Sequence, residues 1–310
     1  MTRLGALAGN QATIGRMVRG SGTGLHSGTS VSFRIHPAAP NTGIVFQRTD
    51  KGGALVPATW KHVVDTRLCS VVANKDGTRV GTIEHLMAAL AGCGIDNARI
   101  AIDGPEVPAM DGSAAPFVEL IERAGLRRQS VARRVIEILK PVSVSDGDAH
   151  ASLVPANSFT VSCEIDFENP AIGRQSRTVT LMNGNFKSEI ASARTFGFEE
   201  DVVQLRKAGL ARGGSFENAI VIGEHGVLNA EGLRYEDEFV RHKLLDCLGD
   251  LYLAGARILG HFRGHRSGHA LNHRVLTALF ADSDAWRYRT LTAPRANTAV
   301  PALRLADAGD

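Results

Sequence analysis

The stretch Ala149–Phe167 runs AHASLV, then PAN, then SFTVSCEIDF. It predicts a strand over Ala149–Val154, a turn at Pro155-Ala156-Asn157 and a returning strand over Phe159–Phe167. The first half has the same order: Val31–Ile35 alternates, His36-Pro37-Ala38-Ala39-Pro40-Asn41 turns, and Gly43–Arg48 reads as the returning strand. A helix follows later in each half. This weak self-similarity predicts a repeat of whole domains, not a short solenoid unit. Runs of strands followed by helices, without strict βαβ alternation, predict an α+β fold.

Working outward, Ser70–Ala73 is a short strand before the turn Asn74-Lys75-Asp76-Gly77. Thr82 is the predicted N-cap of a helix through Leu86 and Leu90, stopped by Gly92 and Gly94. Ala98–Asp103 reads as a buried strand. Ser113 opens a second helix, with Pro116 in its first turn and Gly125 at its end. The basic run Arg127–Arg134 reads as a solvated linker and places the domain boundary, giving 1–130 and 131–310. In the second domain, Val202 and Leu205 share a face of a short helix broken by Gly209, Gly213 and Gly214, and Ser215–Ile222 reads as a strand. This small inserted subdomain, about 198–222, either packs its apolar face on the body or lines a channel for an apolar ligand.

The chain has 310 residues, enough for about two domains of roughly 100–200 residues each. Hydrophobic content of 44% and charged content of 22% exclude wholesale disorder. A net charge of +3 argues against a nucleic-acid partner beyond a local patch. No stretch approaches the ~20 apolar residues of a membrane span, and Met1–Thr13 lacks the apolar core of a signal peptide. The expectation is a soluble, cytoplasmic protein. Cys69, Cys93, Cys163 and Cys247 form no CxxC pair, which excludes a cysteine-type structural zinc site and a disulfide framework.

Several histidines stand beside carboxylates. Glu84-His85 opens the first helix, and a Glu next to a ligand His has a precedent in HExxH zinc proteases, where it serves as general base. Position 89 is Ala, so further ligands must come from elsewhere. His242 and Asp246 are four residues apart on a second helix; an advance of ~400° leaves them about 40° apart on one face. Asp250 continues that stripe. Either it faces water while Leu244, Leu245, Leu248 and Leu251 face the core, or the helix is buried on nearly all sides. Phe239 and Leu253 in the same sector favour burial, and a buried His and Asp need partners, which a metal supplies. Two His and one carboxylate make a three-ligand zinc site of the catalytic type, which lowers the pKa of its water to about 7. The cluster Gly260–His273 reads as a glycine- and histidine-rich loop of catalytic or anion-binding type, with His261, His265 and His273 as plain surface residues. Breaking an amide also needs a proton donor to the leaving nitrogen, commonly a cationic His.

Taken in order, the motifs resemble the bacterial UDP-3-O-acyl-N-acetylglucosamine deacetylases of lipid A synthesis. They are Gly24–Gly28, Thr82–Leu86, Gly94–Asn97, Met110–Phe117, Ala193–Phe198, Gly213–Phe216, Tyr235–Lys243 and Ser267–Asn272. The resemblance spans residues 12 to 285. It implies two α+β domains, each a sheet layered against helices, with the active site between them and the insert forming an acyl-chain passage. It implies a zinc (or, in the cell, iron) held by His85, His242 and Asp246, with Glu84 as general base. His269 becomes the general acid, oriented by Asp250, and Thr195 an oxyanion donor. Lys243, Phe196 and Leu68 belong to the substrate site; Val202, Leu205, Phe216 and Val221 line the acyl passage, and Cys69 is a candidate adventitious ligand for a second zinc. The implied partner is a UDP-linked acylated glucosamine, acted on by a monomer in a Gram-negative cytoplasm. Two features depart from the pattern: the basic loop Arg263–Arg266 with His265, and Glu199 at the start of the insert helix. A non-catalytic lipid or nucleotide carrier and a metal-free hot-dog-type dehydratase are the competing expectations.

Overall fold

The computed structural model describes residues 9–182 and 184–290. The outer ends of the two expected domains, 1–8 and 291–310, lie outside the described residues, and with them most of Met1–Thr13. In the first half β1 (Asn10–Ile14), β2 (Val18–Thr23), β3 (Ser30–Pro37), β4 (Ile44–Arg48) and β5 (Ala54–Pro57) lead into the short β6 (Val63–Asp65), β7 (Val71–Ala73) and β8 (Arg79–Val80). Then come α1 (Glu84–Cys93), β9 (Ala98–Ile102), α2 (Ala115–Ala124) and β10 (Leu126–Ala132). The second half begins β11 (Arg134–Ile138), β12 (Val142–Asp146), β13 (Ala149–Val154), β14 (Phe159–Asp166), β15 (Arg174–Thr180) and α3 (Phe186–Glu189). It continues β16 (Phe196–Phe198), α4 (Glu199–Lys207), β17 (Ile220–Gly223), β18 (Gly226–Val227), α5 (Glu238–Tyr252), β19 (Arg257–His265), α6 (His269–Ala281) and β20 (Trp286–Thr290).

The α+β expectation holds, and both halves share one connectivity. One sheet runs β2-β3-β9-β4-β5. The other contains β12-β13-β19-β14-β15, with β11 beside the start of β19 and β20 beyond it. The expected returning strands need correcting. β3 and β4 run antiparallel but do not pair: β9 lies between them, antiparallel to β3 and parallel to β4. β19 separates β13 from β14 in the same way. Turn signals at Pro37 and Pro155 mark a reversal, yet at ~4.8 Å per strand spacing the connection easily crosses a gap one strand wide. The apolar, inward β9 and β19 fill it.

The run Arg127–Arg134 is not a loose linker. Most of it is β10, paired antiparallel with β1, with Arg127 and Arg128 both exposed; Arg134 then enters the other sheet as β11. Arg133 between them is buried and forks onto Asp96 at 2.6 and 2.7 Å. The Gly260–His273 cluster is likewise no loop: it is β19 and the first turns of α6, joined by Arg266-Ser267-Gly268. Its glycines mark close approaches in a central strand, since a Cβ at Gly260 would overlap Ile138.

Four helices pack on the two sheets or on one another. α2 packs on β2, α6 on β12 and β13, and α5 on β14 and β15, while α1 is held between α2 and α5. α5 is buried on nearly all sides, Leu244, Leu245, Leu248 and Leu251 included; each such side chain contributes roughly 1.5–3 kcal/mol. α1 ends as expected at Gly94, whose φ of 83° places it in the left-handed region, while Gly92 lies inside the helix. Its start differs. Thr82 is not the N-cap: it sits at φ 52°, one residue before the cap Ile83, and its hydroxyl donates to Glu106 Oε2 at 2.9 Å. Residues 196–223 form a small βαβ unit with β16 parallel to β17 and β18 antiparallel beyond. Its strand is shorter than expected, because Ser215 and Asn218 close a turn before it. The four cysteines are free thiols, and Cys163 and Cys247 bring their sulfurs to 3.4 Å. Among the described residues no helix is long and apolar enough to cross a membrane.

Candidate active site

The site forms where α1 crosses α5. A Cβ at Gly249 would overlap the backbone carbonyl of Glu84, so glycine there lets the first turn of α1 lie directly on α5. Glu84 and His85 thereby reach the stripe of His242, Asp246 and Asp250, all buried. His85 Nε2 and His242 Nε2 lie 3.5 and 3.3 Å from the same Asp246 oxygen, Oδ1. One ligand atom from each of the three residues falls within 4.8 Å of the others. The His242 Nδ1–H donates to the Ala193 carbonyl at 3.0 Å, which fixes the tautomer and leaves Nε2 a free lone pair. Burial is the main reason the His242 imidazole is pushed down to about 3 and stays neutral, as a ligand must. Two imidazoles and a carboxylate, buried and converging, fit a divalent ion such as zinc.

Burial pushes the Asp246 carboxyl up, but the polar neighbours His242 and Lys243 and a hydrogen bond with His85 outweigh it and leave Asp246 well below the usual range. Lys243 Nζ donates to Asp246 Oδ2 at 3.0 Å and lies 5.5 Å from the centre of the Phe196 ring. Phe196 packs its ring edge-on against Phe239 and near His242.

A second group of residues adjoins the first. His269 heads α6, and its Nδ1–H donates to Asp250 Oδ2 at 2.8 Å, leaving Nε2 4.0 Å from Glu84 Oε1. Burial opposes the imidazolium, but the charge and hydrogen bond of Asp250, followed by Glu84, override it and raise His269 to about 10. Burial also raises the Glu84 carboxyl, against the pull of His269 and His85. Ser70 ties the pieces together. Its N–H donates to Glu84 Oε2 at 3.0 Å and its hydroxyl to Asp250 Oδ1 at 2.5 Å, while Asn272 donates to Asp250 Oδ2 at 2.9 Å. Sequence reasoning assigned no role to Ser70 or Ala193. Asn272, one turn after His269 on α6, carried the only local signal.

Thr195 stands two residues beyond the carbonyl that holds His242, with its N–H on Gly112 O at 2.8 Å. Leu68 is exposed and, with Cys69, His26 and Leu210, lines a cavity of about 510 Å³ that also touches Thr82 and Glu106. Val202 and Leu205 are half-buried on α4, Val221 half-buried in β17 and Phe216 exposed before it; none of these four lines that cavity. Burial and the nearby Glu84 push the Cys69 thiol up to about 12, so the free thiol stays protonated. His261, His265 and His273 are not brought to the site; they bond to Ser162, Glu164 and the Trp60 carbonyl. Glu199 lies in the exposed first turn of α4.

Ligand-type side chains closing on one point, beside a carboxylate–imidazole pair able to move protons, are the equipment of a hydrolase. Comparison gives the family: the LpxC model, UDP-3-O-acyl N-acetylglycosamine deacetylase, matches residues 11–281, and the chain belongs to this family. It is 51% identical to the UDP-3-O-acyl-N-acetylglucosamine deacetylase of Myxococcus xanthus over 89% of this chain and 88% of that protein. The Acidithiobacillus ferrooxidans enzyme of the same name is 53% identical over 90% and 92%. That of Shewanella oneidensis is 50% identical over 89% and 91%.

Proposed function

We propose that this protein hydrolyses the N-acetyl group of UDP-3-O-((R)-3-hydroxyacyl)-N-acetylglucosamine, releasing acetate and the free amine, the committed step of lipid A synthesis. The observation that carries the proposal is the convergence of His85, His242 and Asp246 beside the Glu84–His269 pair, in a chain of this family. His85, His242 and Asp246 would hold zinc, with iron a substitute in the cell. When bound, the ion supplies Lewis-acid polarisation of the amide carbonyl and acidifies water toward a pKa of about 7.

The remaining steps belong to the chain's own residues. Glu84, its carboxyl raised by burial, takes a proton from the attacking water. The new C–O bond turns the carbonyl into a tetrahedral oxyanion, toward which Thr195 directs its hydroxyl. His269, held cationic by Asp250, gives its proton to the amide nitrogen as the C–N bond breaks. Lys243, Phe196 and Leu68 contact the substrate, and Val202, Leu205, Phe216 and Val221 line the passage for the acyl chain. The protein works as a cytoplasmic monomer of two domains, 1–130 and 131–310, with the insert as passage and no nucleic-acid partner.

The test is deacetylation of the UDP-linked acyl-glucosamine by purified protein, before and after chelation and after return of one equivalent of zinc. Activity that vanishes and returns supports the assignment. Activity indifferent to metal overturns the ligand set, and no activity despite bound zinc favours a carrier.

A further inference from the structure

One buried carboxylate near the site has no part in the chemistry above. Glu106 Oε1 accepts the Ser27 N–H at 2.6 Å, while Oε2 accepts the His26 N–H at 3.2 Å and the Thr82 hydroxyl at 2.9 Å. The place is built for it: a Cβ at Gly24 would overlap the Glu106 carboxylate, so only glycine leaves room. Backbone bonds pin the same strip. The Gly81 N–H donates to Pro105 O and the Val107 N–H to Gly81 O, both at 2.9 Å.

Thr82 is the sensitive point. A β-branched residue at φ 52° is held in a conformation that it avoids, and such a residue persists only where its surroundings over-determine it. Glu106 is the group that captures its hydroxyl. Immediately after this turn come Glu84 and His85. The loop that Glu106 grips from the other side also carries the insert, because the carbonyls of Leu25 and His26 accept the N–H groups of Gly213 and Arg212 at 3.0 and 3.3 Å.

We propose that Glu106 is a positioning residue: through the Thr82 hydroxyl it holds the left-handed turn that aims Glu84 and His85 at the residues of α5. The proposal rests on His85 being a metal ligand and Glu84 the base. Its test compares wild type with Glu106→Gln, Thr82→Val and Thr82→Ser, reading zinc affinity by competition with a chelator, and kcat and KM on metal-loaded protein. Glu106→Gln turns an amide N–H toward donors, Thr82→Val removes the hydroxyl while keeping the branch, and Thr82→Ser keeps the hydroxyl.

The first two should weaken zinc binding or lower kcat by about 10–100-fold, the scale seen when an outer partner of a ligand is removed, with KM little changed. Thr82→Ser should stay within about threefold of wild type, since it retains the bond. Zinc affinity and kcat that remain within about twofold in Glu106→Gln and Thr82→Val would overturn the proposal, as would a Thr82→Ser variant as impaired as Thr82→Val. If Glu106→Gln does not fold, the two Thr82 variants decide alone. Wild type that binds zinc without deacetylating refutes the proposed substrate, yet the affinity comparison still tests Glu106. Wild type that binds no zinc refutes the ligand set, and this proposal with it.

Discussion

Asp250→Asn keeps the size of the side chain and removes its charge. Asp250 accepts three donors, from Ser70 at 2.5 Å, His269 at 2.8 Å and Asn272 at 2.9 Å. An asparagine turns its own N–H groups toward at least one of them. Holding His269 at about 10 instead of 6.5 amounts to roughly 5 kcal/mol of preference for the imidazolium, at about 1.4 kcal/mol per tenfold change. Among the groups that favour the cation Asp250 ranks first, so its loss leaves burial opposed mainly by Glu84 at 4.0 Å. His269 then becomes neutral near physiological pH and cannot protonate the leaving amine. The expected kcat falls by about 10²–10⁴, the range for removal of a general acid. The alkaline limb of the rate profile moves to lower pH.

Metal-free protein offers a second readout of the same change. A histidine raised on folding contributes stability that is complete below its unfolded value of 6.5 and is lost as pH rises through about 10. Urea unfolding of the wild type should therefore show that loss across this window, and Asp250→Asn should flatten it. Proton NMR follows the His269 titration directly. A variant with kcat within about threefold of wild type and an unmoved alkaline limb would refute the role given to the pair.

Glu84→Gln should keep stoichiometric zinc while turnover drops by about 10²–10⁴, whereas His242→Ala should lose the metal; zinc analysis of both variants separates base from ligand. Loss of metal from Glu84→Gln would make Glu84 a ligand. Gly249→Ala places a methyl against the Glu84 carbonyl, so it should destabilise the protein by about 1–3 kcal/mol and lower activity with it. An unchanged urea midpoint would mean that the α1–α5 crossing is looser than described.

Local signals made the parts of this site legible. His242 and Asp246 share a helix face through spacing alone, and the apolar residues around them on α5 pointed to burial, which the helix shows. The strand end before Pro155 also followed from turn chemistry, while β3 runs two residues beyond the expected Ile35 and includes Pro37. Local signals misled where a residue type serves two purposes. Glycines at 260 and 264 look like loop residues but give room inside a strand. The polar run 127–134 looks like a linker but is mostly an edge strand with one face in water.

By itself, then, the sequence determined many of the elements, the weak repeat of strands followed by a helix and the residue types able to bind a metal, because each depends on neighbours a few positions away. Tertiary structure decided which strand fills the gap in each sheet and that His85 meets His242. It also decided that Ser70 joins Glu84 to Asp250 and that Glu106 holds Thr82. Those contacts join residues brought together by the fold, and two of the approaches need glycine, since a Cβ at Gly249 would meet the Glu84 carbonyl and one at Gly24 the Glu106 carboxylate.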